Sequence, residues 1–353
     1  MFLKSCRHLF IFNKDLLFTR FCTQAANELK NSELCVETAQ SKLLKVAILG
    51  LPNAGKSTFI NNLMDRRVCP TSSKVHTTRN KTMAIFTEED SQIVFLDTPG
   101  LVSDSERKRY KLESTFVRDS KDVLMEADII GVIHDVSNHF LRDKLDIKII
   151  NLLESHRDIC SFLVFNKVDL LKSKRKLLDL TRLLTENCIN GKPIAGTQKT
   201  KKCEHDYRGW PYFQDIFMVS ALTGDGISSV KNYLVKQAKP SEWMFPKNVW
   251  TDQSAEEIIS KSVQATLLDY LPQEIPYRLK SEIEFFDISK TGIISTVVLI
   301  HCPSERVKTL IGGASEGRLR QMTETVQDAL QNTFKSHVRI KLVLVPPKKE
   351  DAE

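Results

Sequence analysis

Gly50-Leu51-Pro52-Asn53-Ala54-Gly55-Lys56-Ser57-Thr58 sits between an apolar run, Lys45-Val46-Ala47-Ile48-Leu49, and a helical pattern, Thr58-Phe59-Ile60-Asn61-Asn62-Leu63-Met64. Strand, glycine-rich turn and helix in this order make a phosphate-binding loop. The backbone N–H groups of such a turn point inward, and the following helix N-terminus adds partial positive charge. Lys56 is expected to reach β- and γ-phosphates, and Ser57 to ligate magnesium. Gly50, Asn53, Ala54, Gly55 and Thr58 complete the expected cradle.

Downstream motifs follow in a definite order. Residues 66–80 are polar and aperiodic and read as a loop. A threonine there completes magnesium coordination only while a γ-phosphate is present; Thr78 fits that role best and Thr77 is the alternative. The buried-strand run Ser91 to Leu96 ends at Asp97-Thr98-Pro99-Gly100. Asp97 is expected on magnesium, directly or through water, and the Gly100 N–H on the γ-phosphate. Lys56, Thr78, Asp97 and Gly100 thus form the expected catalytic set, working by positioning and charge stabilisation.

Strands predicted over 128–135 and 162–165 follow helices predicted over 107–127 and 140–156, which gives an open parallel sheet. His134 reads as a strand-end residue. Asn166-Lys167-Val168-Asp169 follows the last of these strands. Asp169 can accept from guanine N1–H and the 2-amino group, a donor pair that adenine lacks. Asn166 is expected on the opposite base edge and the Lys167 stem over the ring. Ser220 and Ala221 follow a strand over 216–219, with the Ala221 N–H expected near guanine O6, and a helix over 227–239 closes the unit.

The four elements that follow predicted strands resemble a GTPase of the translation-factor-related class, over residues 43 to about 240. Such a resemblance implies GTP or GDP with Mg2+ as ligands. Leu101 stands where many such enzymes carry a water-orienting Gln, which implies slow hydrolysis unless a cation or partner assists. In similar GTPases an Asn at the Asn53 position helps to bind K+. The stretch 171–212 is a basic insertion, either an RNA contact or a solvated loop.

The chain has 353 residues and a net charge of +7, which favours a polyanionic partner. No run of about 18 apolar residues is present, so no membrane span is expected. The eight cysteines form no CxxC pair and read as free thiols. Residues 1–40 mix Arg and Lys with apolar residues and few acids, as a mitochondrial transit peptide does; a disordered tail is the alternative.

Residues 241–250 read as a linker and 348–353 as a charged tail. Between them, 251–347 predicts helix, strand, strand, helix, turn, helix, strand, with Thr251-Asp252 capping the first helix. That order resembles a KH domain, which clamps single-stranded RNA with a G-x-x-G turn. Here Gly312-Gly313-Ala314-Ser315 replaces the second glycine by serine. Lys308, Gly312, Gly313, Ser315, Arg318 and Arg320 are the expected RNA-binding set; a domain that only packs on its neighbour is the alternative.

An α/β phosphate-loop GTPase domain followed by an α+β KH-like (type II) domain is similar to the Era family. Thr77-Thr78-Arg79, Asp97 to Leu101 and Leu271 to Tyr277 carry the resemblance. It implies a monomeric GTPase of the mitochondrial matrix that binds small-subunit rRNA and assists the assembling small ribosomal subunit. Peripheral association with the inner membrane is also implied. The alternative is a non-enzymatic rRNA-binding scaffold that uses GTP as a structural ligand.

Overall fold

A computed structural model describes residues 41–69, 82–97, 124–194, 208–272 and 275–346. The N-terminal extension, Thr77, Thr78, Gly100, Leu101, the body of the helix predicted over 107–127 and the tail lie outside the described residues.

The first apolar run forms β1 (Lys42–Leu49), buried on both faces as the central strand of a parallel sheet must be. It pairs in parallel with β3 (Ser91–Asp97) on one side and with β4 (Ile129–Asp135) on the other. The sheet continues through β5 (Cys160–Asn166) to β8 (Phe213–Met218). Strand order reverses at β1, so a crevice opens at the carboxyl ends of the strands. Alternate β1 side chains feed two cores. Leu44, Val46 and Ile48 pack with α1 (Lys56–Leu63) and α4 (Ile227–Gln237); Leu43, Ala47 and Leu49 pack with α2 (Ile147–Ser155) and α3 (Arg175–Leu184).

Several boundaries differ from the sequence prediction. Thr82–Glu88 form β2, an antiparallel partner of β3 that carries no sequence motif. The helix predicted from 140 begins at Ile147, because the Asp146 carboxylate caps it by accepting from the Lys148 N–H. Within the basic insertion, Cys188–Ile189 and Lys192–Pro193 pair as a small hairpin, β6 and β7. Residues 195–207 of that insertion lie outside the described residues.

The linker is strapped to the sheet. Lys239–Pro240 form β9 against Lys42 and Leu43, which start β1 before its pairing with β4 begins. Fully buried Gln92 accepts from the N–H groups of Met244 and Phe245, both at 3.0 Å, and donates to the Phe245 carbonyl at 2.8 Å. Thr251 and Asp252 do not cap the next helix. Their side chains bond the carbonyl and N–H of Met83 on β2, and a capping box of Ser254 and Glu257 starts α5 (Ala255–Tyr270) instead.

A second unit follows: α6 (Ile275–Arg278), β10 (Lys280–Ile288), β11 (Ile294–His301), α7 (Glu305–Gly312), α8 (Gly317–Phe334) and β12 (Val338–Val345). β11 pairs antiparallel with β10 and parallel with β12. With α5 ahead of them, the helices cover one sheet face in the KH-like order, over a core that includes Val298, Met322, Val326 and Leu330.

Gln92→Ala leaves two linker N–H groups without a side-chain acceptor. Denaturant titration should show a loss on the order of 1–3 kcal/mol, the cost of stranding buried polar groups. An unchanged midpoint would mean that the strap adds nothing to stability.

Candidate nucleotide-binding site

The phosphate loop leaves β1 at Gly50 and turns with an Ala54 N–H to Leu51 carbonyl bond. Two of its glycines are required by shape. A Cβ on Gly50 would lie 2.6 Å from the Ile133 carbonyl oxygen. Gly55 has φ +95°, and its Cβ would meet the Asn166 amide nitrogen at 2.2 Å; only glycine adopts that conformation without cost. Asn53 is exposed with φ 60°. Asn tolerates this conformation better than most residues, so its place also has a backbone reason. The buried Lys56 ammonium folds back onto the loop, donating to the Gly50 and Leu51 carbonyls, both at 3.1 Å. Ser57 and Thr58 follow it at the start of α1, half-buried.

Asn166 ends β5 and is 1% exposed. Its Nδ2 donates to the Ala54 carbonyl at 2.8 Å, while its Oδ1 accepts from the N–H groups of Ala221 at 2.9 Å and Lys167 at 2.8 Å. One side-chain amide therefore joins the phosphate loop to both base-side loops. Asn166 is thus a clasp within the folded chain, and its Nδ2 carries a second N–H beyond the one given to Ala54. In the protein alone the Ala221 N–H, expected near guanine O6, bonds Asn166.

Lys167 has φ 65°. That is a strained conformation for a non-glycine residue. It is held there by a 2.6 Å bond from its ammonium to Asp135 at the end of β4. The Asp135 carboxylate also accepts from the Ser137 N–H and hydroxyl. Burial pushes the Asp135 pKa up, but the Lys167 and Ser137 bonds outweigh it and the net shift is downward. The depressed value means this contribution is present at neutral pH and is lost only as acid titrates the folded carboxylate.

Ser220 is buried, and its hydroxyl accepts from the Thr223 N–H. Asn62 on α1 donates to the Ala221 carbonyl. Asp169 is exposed at the start of the 3-10 turn Val168–Leu170. Asp97 ends β3 opposite Ile48 of β1. Sequence reasoning missed Asp135 and Asn62; the signal for Asp135 was an acid ending a strand adjacent to the one that carries Asn166-Lys167.

Other predicted residues lie elsewhere. His134 is buried, bonds the Arg142 carbonyl at 2.9 Å and has its pKa lowered by that burial, as suits a strand-end residue. Cys69, Cys160, Cys188 and Cys302 are free thiols among the described residues. The expected RNA-binding residues gather at the α7–α8 turn. Gly313 has φ 70° and Ser315 has φ 49°. Serine thus occupies a backbone region that favours glycine. Arg318 is occupied in holding the end of α7, donating to the Leu310 carbonyl at 2.7 Å. A cation at a helix C-terminus also suits the helix dipole. Lys308 faces Glu305, and Arg320 faces Glu324.

Residues 45–167 match the family described as 50S ribosome-binding GTPase. The mitochondrial GTPase Era of Danio rerio is 36% identical over 334 residues, covering 86% of this chain and 75% of that protein. The chain belongs to the Era family of GTPases. The GTPase Era of Clostridioides difficile is 29% identical over 302 residues, covering 84% of this chain and 90% of its own. Two solved Era structures share the two-unit fold at TM-score 0.67 and 23% identity. One is Aquifex aeolicus Era bound to GDP.AlF4-, covering 86% of this chain and 94% of that one; the other, with MgGDPNP and nucleotides 1506–1542 of 16S ribosomal RNA, covers 87% and 94%. Like other Era proteins, the chain is an enzyme that hydrolyses GTP.

The Asn166 bonds are made within the protein itself. Asn166→Ala should therefore lower stability by about 1–3 kcal/mol in nucleotide-free protein. Calorimetric unfolding without GTP checks this, and an unchanged transition would remove Asn166 as the clasp.

Proposed function

We propose that this Era-family chain is a GTP-driven switch on small-subunit rRNA that acts in assembly of the mitochondrial small ribosomal subunit. The observation that carries the reading is the Asn166 amide, which joins the phosphate loop to both base-side loops at the carboxyl ends of the strands. The names of the relatives support the mitochondrial setting, and the neighbour bound to a 16S rRNA fragment supports the partner.

In this reading the loop from Gly50 to Thr58 cradles the phosphates, and its shape depends on two glycines, since a side chain at Gly50 or Gly55 would collide with Ile133 or Asn166 and displace the loop. Lys56 moves its ammonium from the loop carbonyls to phosphate oxygens. Ser57, Asp97 and Thr78 hold magnesium, which offsets phosphate charge when bound. Asp169 reads the guanine N1–H and 2-amino pair, and Lys167 keeps its stem over the ring because Asp135 tethers its tip. The Gly100 N–H senses the γ-phosphate. The chain positions an attacking water without a protein base, and Leu101 leaves that step slow. Asn53 supplies an oxygen for K+; equal GTPase rates in potassium and sodium would remove that role.

RNA contacts fall to the α7–α8 turn around Gly312, Gly313 and Ser315, with Lys308 and Arg320 as charges freed from their glutamates on binding. Lowered RNA affinity after hydrolysis times release. A scaffold that only holds GTP is separated from a switch by turnover. Phosphate release from excess GTP should continue through many cycles and change when small-subunit rRNA is added; a single stoichiometric burst would favour the scaffold.

Base reading by Asp169 has its own test. Asp169→Asn should shift preference from GTP toward XTP by about tenfold or more in competition binding. An unaltered preference for GTP would take Asp169 out of the base site.

A further inference from the structure

The turn Asp65 to Cys69 connects α1 to the segment that carries Thr77 and Thr78, and its backbone is gripped from two directions. Asn61 on α1 holds Cys69 at both ends: its Nδ2 donates to the Cys69 carbonyl at 2.7 Å, and its Oδ1 accepts from the Cys69 N–H at 2.8 Å. Arg67 is held the same way by the second unit. Its N–H donates to Asn332 Oδ1 at 3.1 Å, and its carbonyl accepts from the Thr333 hydroxyl at 2.7 Å. Asn332 and Thr333 lie in the last turn of α8, the long helix that follows the expected RNA-binding turn.

The side chains of this turn also reach into the second unit. The Arg66 guanidinium lies 4.8 Å over the Trp250 ring, which meets Phe334 edge-on at 6.3 Å. A guanidinium so placed is attracted to the ring face. Arg67 is half-buried, with its pKa lowered by that burial and its charge supported by Asp269 of α5. A cleft of about 530 Å³ beside the turn is lined by α1, Ala221, Leu222 and α8. Two backbone groups of one residue, each bonded by a different side chain of a distant element, fix its position and orientation. Nonspecific packing of one unit on the other does not require such pairing.

We propose that Asn332 and Thr333 are positioning residues for the GTPase cycle, through which the second unit sets the turn that leads from the phosphate-loop helix to the threonine-bearing segment. The proposal rests on the switch reading of Thr78. It gives a GTP-specific effect: ordering Thr78 on a γ-phosphate is easier when the start of its segment is already fixed, whereas GDP makes no such demand. By linkage, nucleotide state alters the grip on α8 to the same extent.

The test uses the full chain carrying Asn332→Ala with Thr333→Val, which keeps the size of the buried side chain while removing its donor. Binding of a non-hydrolysable GTP analogue and single-turnover GTP hydrolysis should each weaken about fivefold, while GDP affinity stays within about twofold. Asn61→Ala, which releases Cys69, should produce the same split. Equal loss for both nucleotides would reveal a purely structural contact, and no loss for either would show that the grip is silent; both results overturn the proposal. Should Thr333→Val prevent folding, Asn332→Ala alone still decides, because Asn332 is exposed. Thr78→Ala separates the two levels. If that change leaves discrimination between the GTP analogue and GDP intact, the switch reading itself fails; if it abolishes discrimination and the α8 substitutions do nothing, only the present inference fails.

Discussion

The nucleotide site depends on one buried side-chain amide. Asn166 gives one N–H to Ala54 and its oxygen to Ala221 and Lys167, so three loops share one anchor. An amide suits this task because it offers a donor and an acceptor at a fixed separation. It also carries no charge to be desolvated at a 1% exposed position. Gly55 is part of the same solution, since any side chain there would occupy the Asn166 nitrogen. Lys167 accepts a left-handed backbone because Asn166 and Asp135 hold it at both ends. The cradle is thereby assembled within the folded chain, and its cost in conformational entropy is met during folding.

The architecture was legible where chemistry constrains both residue type and spacing. The glycine-rich turn after an apolar strand, and the motifs at the ends of later strands, predict the parallel sheet and the crevice. The helix and strand order of the second unit was legible from hydrophobic period and turn signals, apart from the short α6. What escaped were features set by tertiary contact. β2 carries no motif and is a strand because β3 offers it a partner. Thr251 and Asp252 look like caps, yet the β2 edge competes for their side chains, and Ser254 with Glu257 makes the better cap. The clasp made by Asn166 was not legible, because its motif is read toward the base and the bonds to Ala54 and Ala221 appear only once the loops meet. Asp135 and Asn62 were missed because an acid or amide at a loop edge has no signature until its partner is in place.

The two units share more than a linker. Gln92 fastens residues 244–245 to the sheet, Thr251 and Asp252 fasten the following residues to β2, and the Arg67 turn meets the end of α8. These contacts engage opposite ends of the second unit, α5 at its start and α8 near its end, which favours motion as a body. A change at the phosphate-loop helix has a short route to α8, along the turn to Arg67 and then through two hydrogen bonds, while the α7–α8 turn lies at the other end of α8. Within that turn, Ser315 holds a conformation that glycine would adopt at lower cost, and Arg318 donates to the Leu310 carbonyl of α7. Under the proposed function, RNA affinity leans less on the turn alone and more on how the whole unit is presented.

Affinity for a small-subunit rRNA fragment containing the 3′ end, measured on the full chain loaded first with a non-hydrolysable GTP analogue and then with GDP, bears most directly on that switch. Coupling of the kind described requires the GTP-analogue form to bind at least about fivefold more tightly at fixed salt. Equal affinities in the two forms would contradict it.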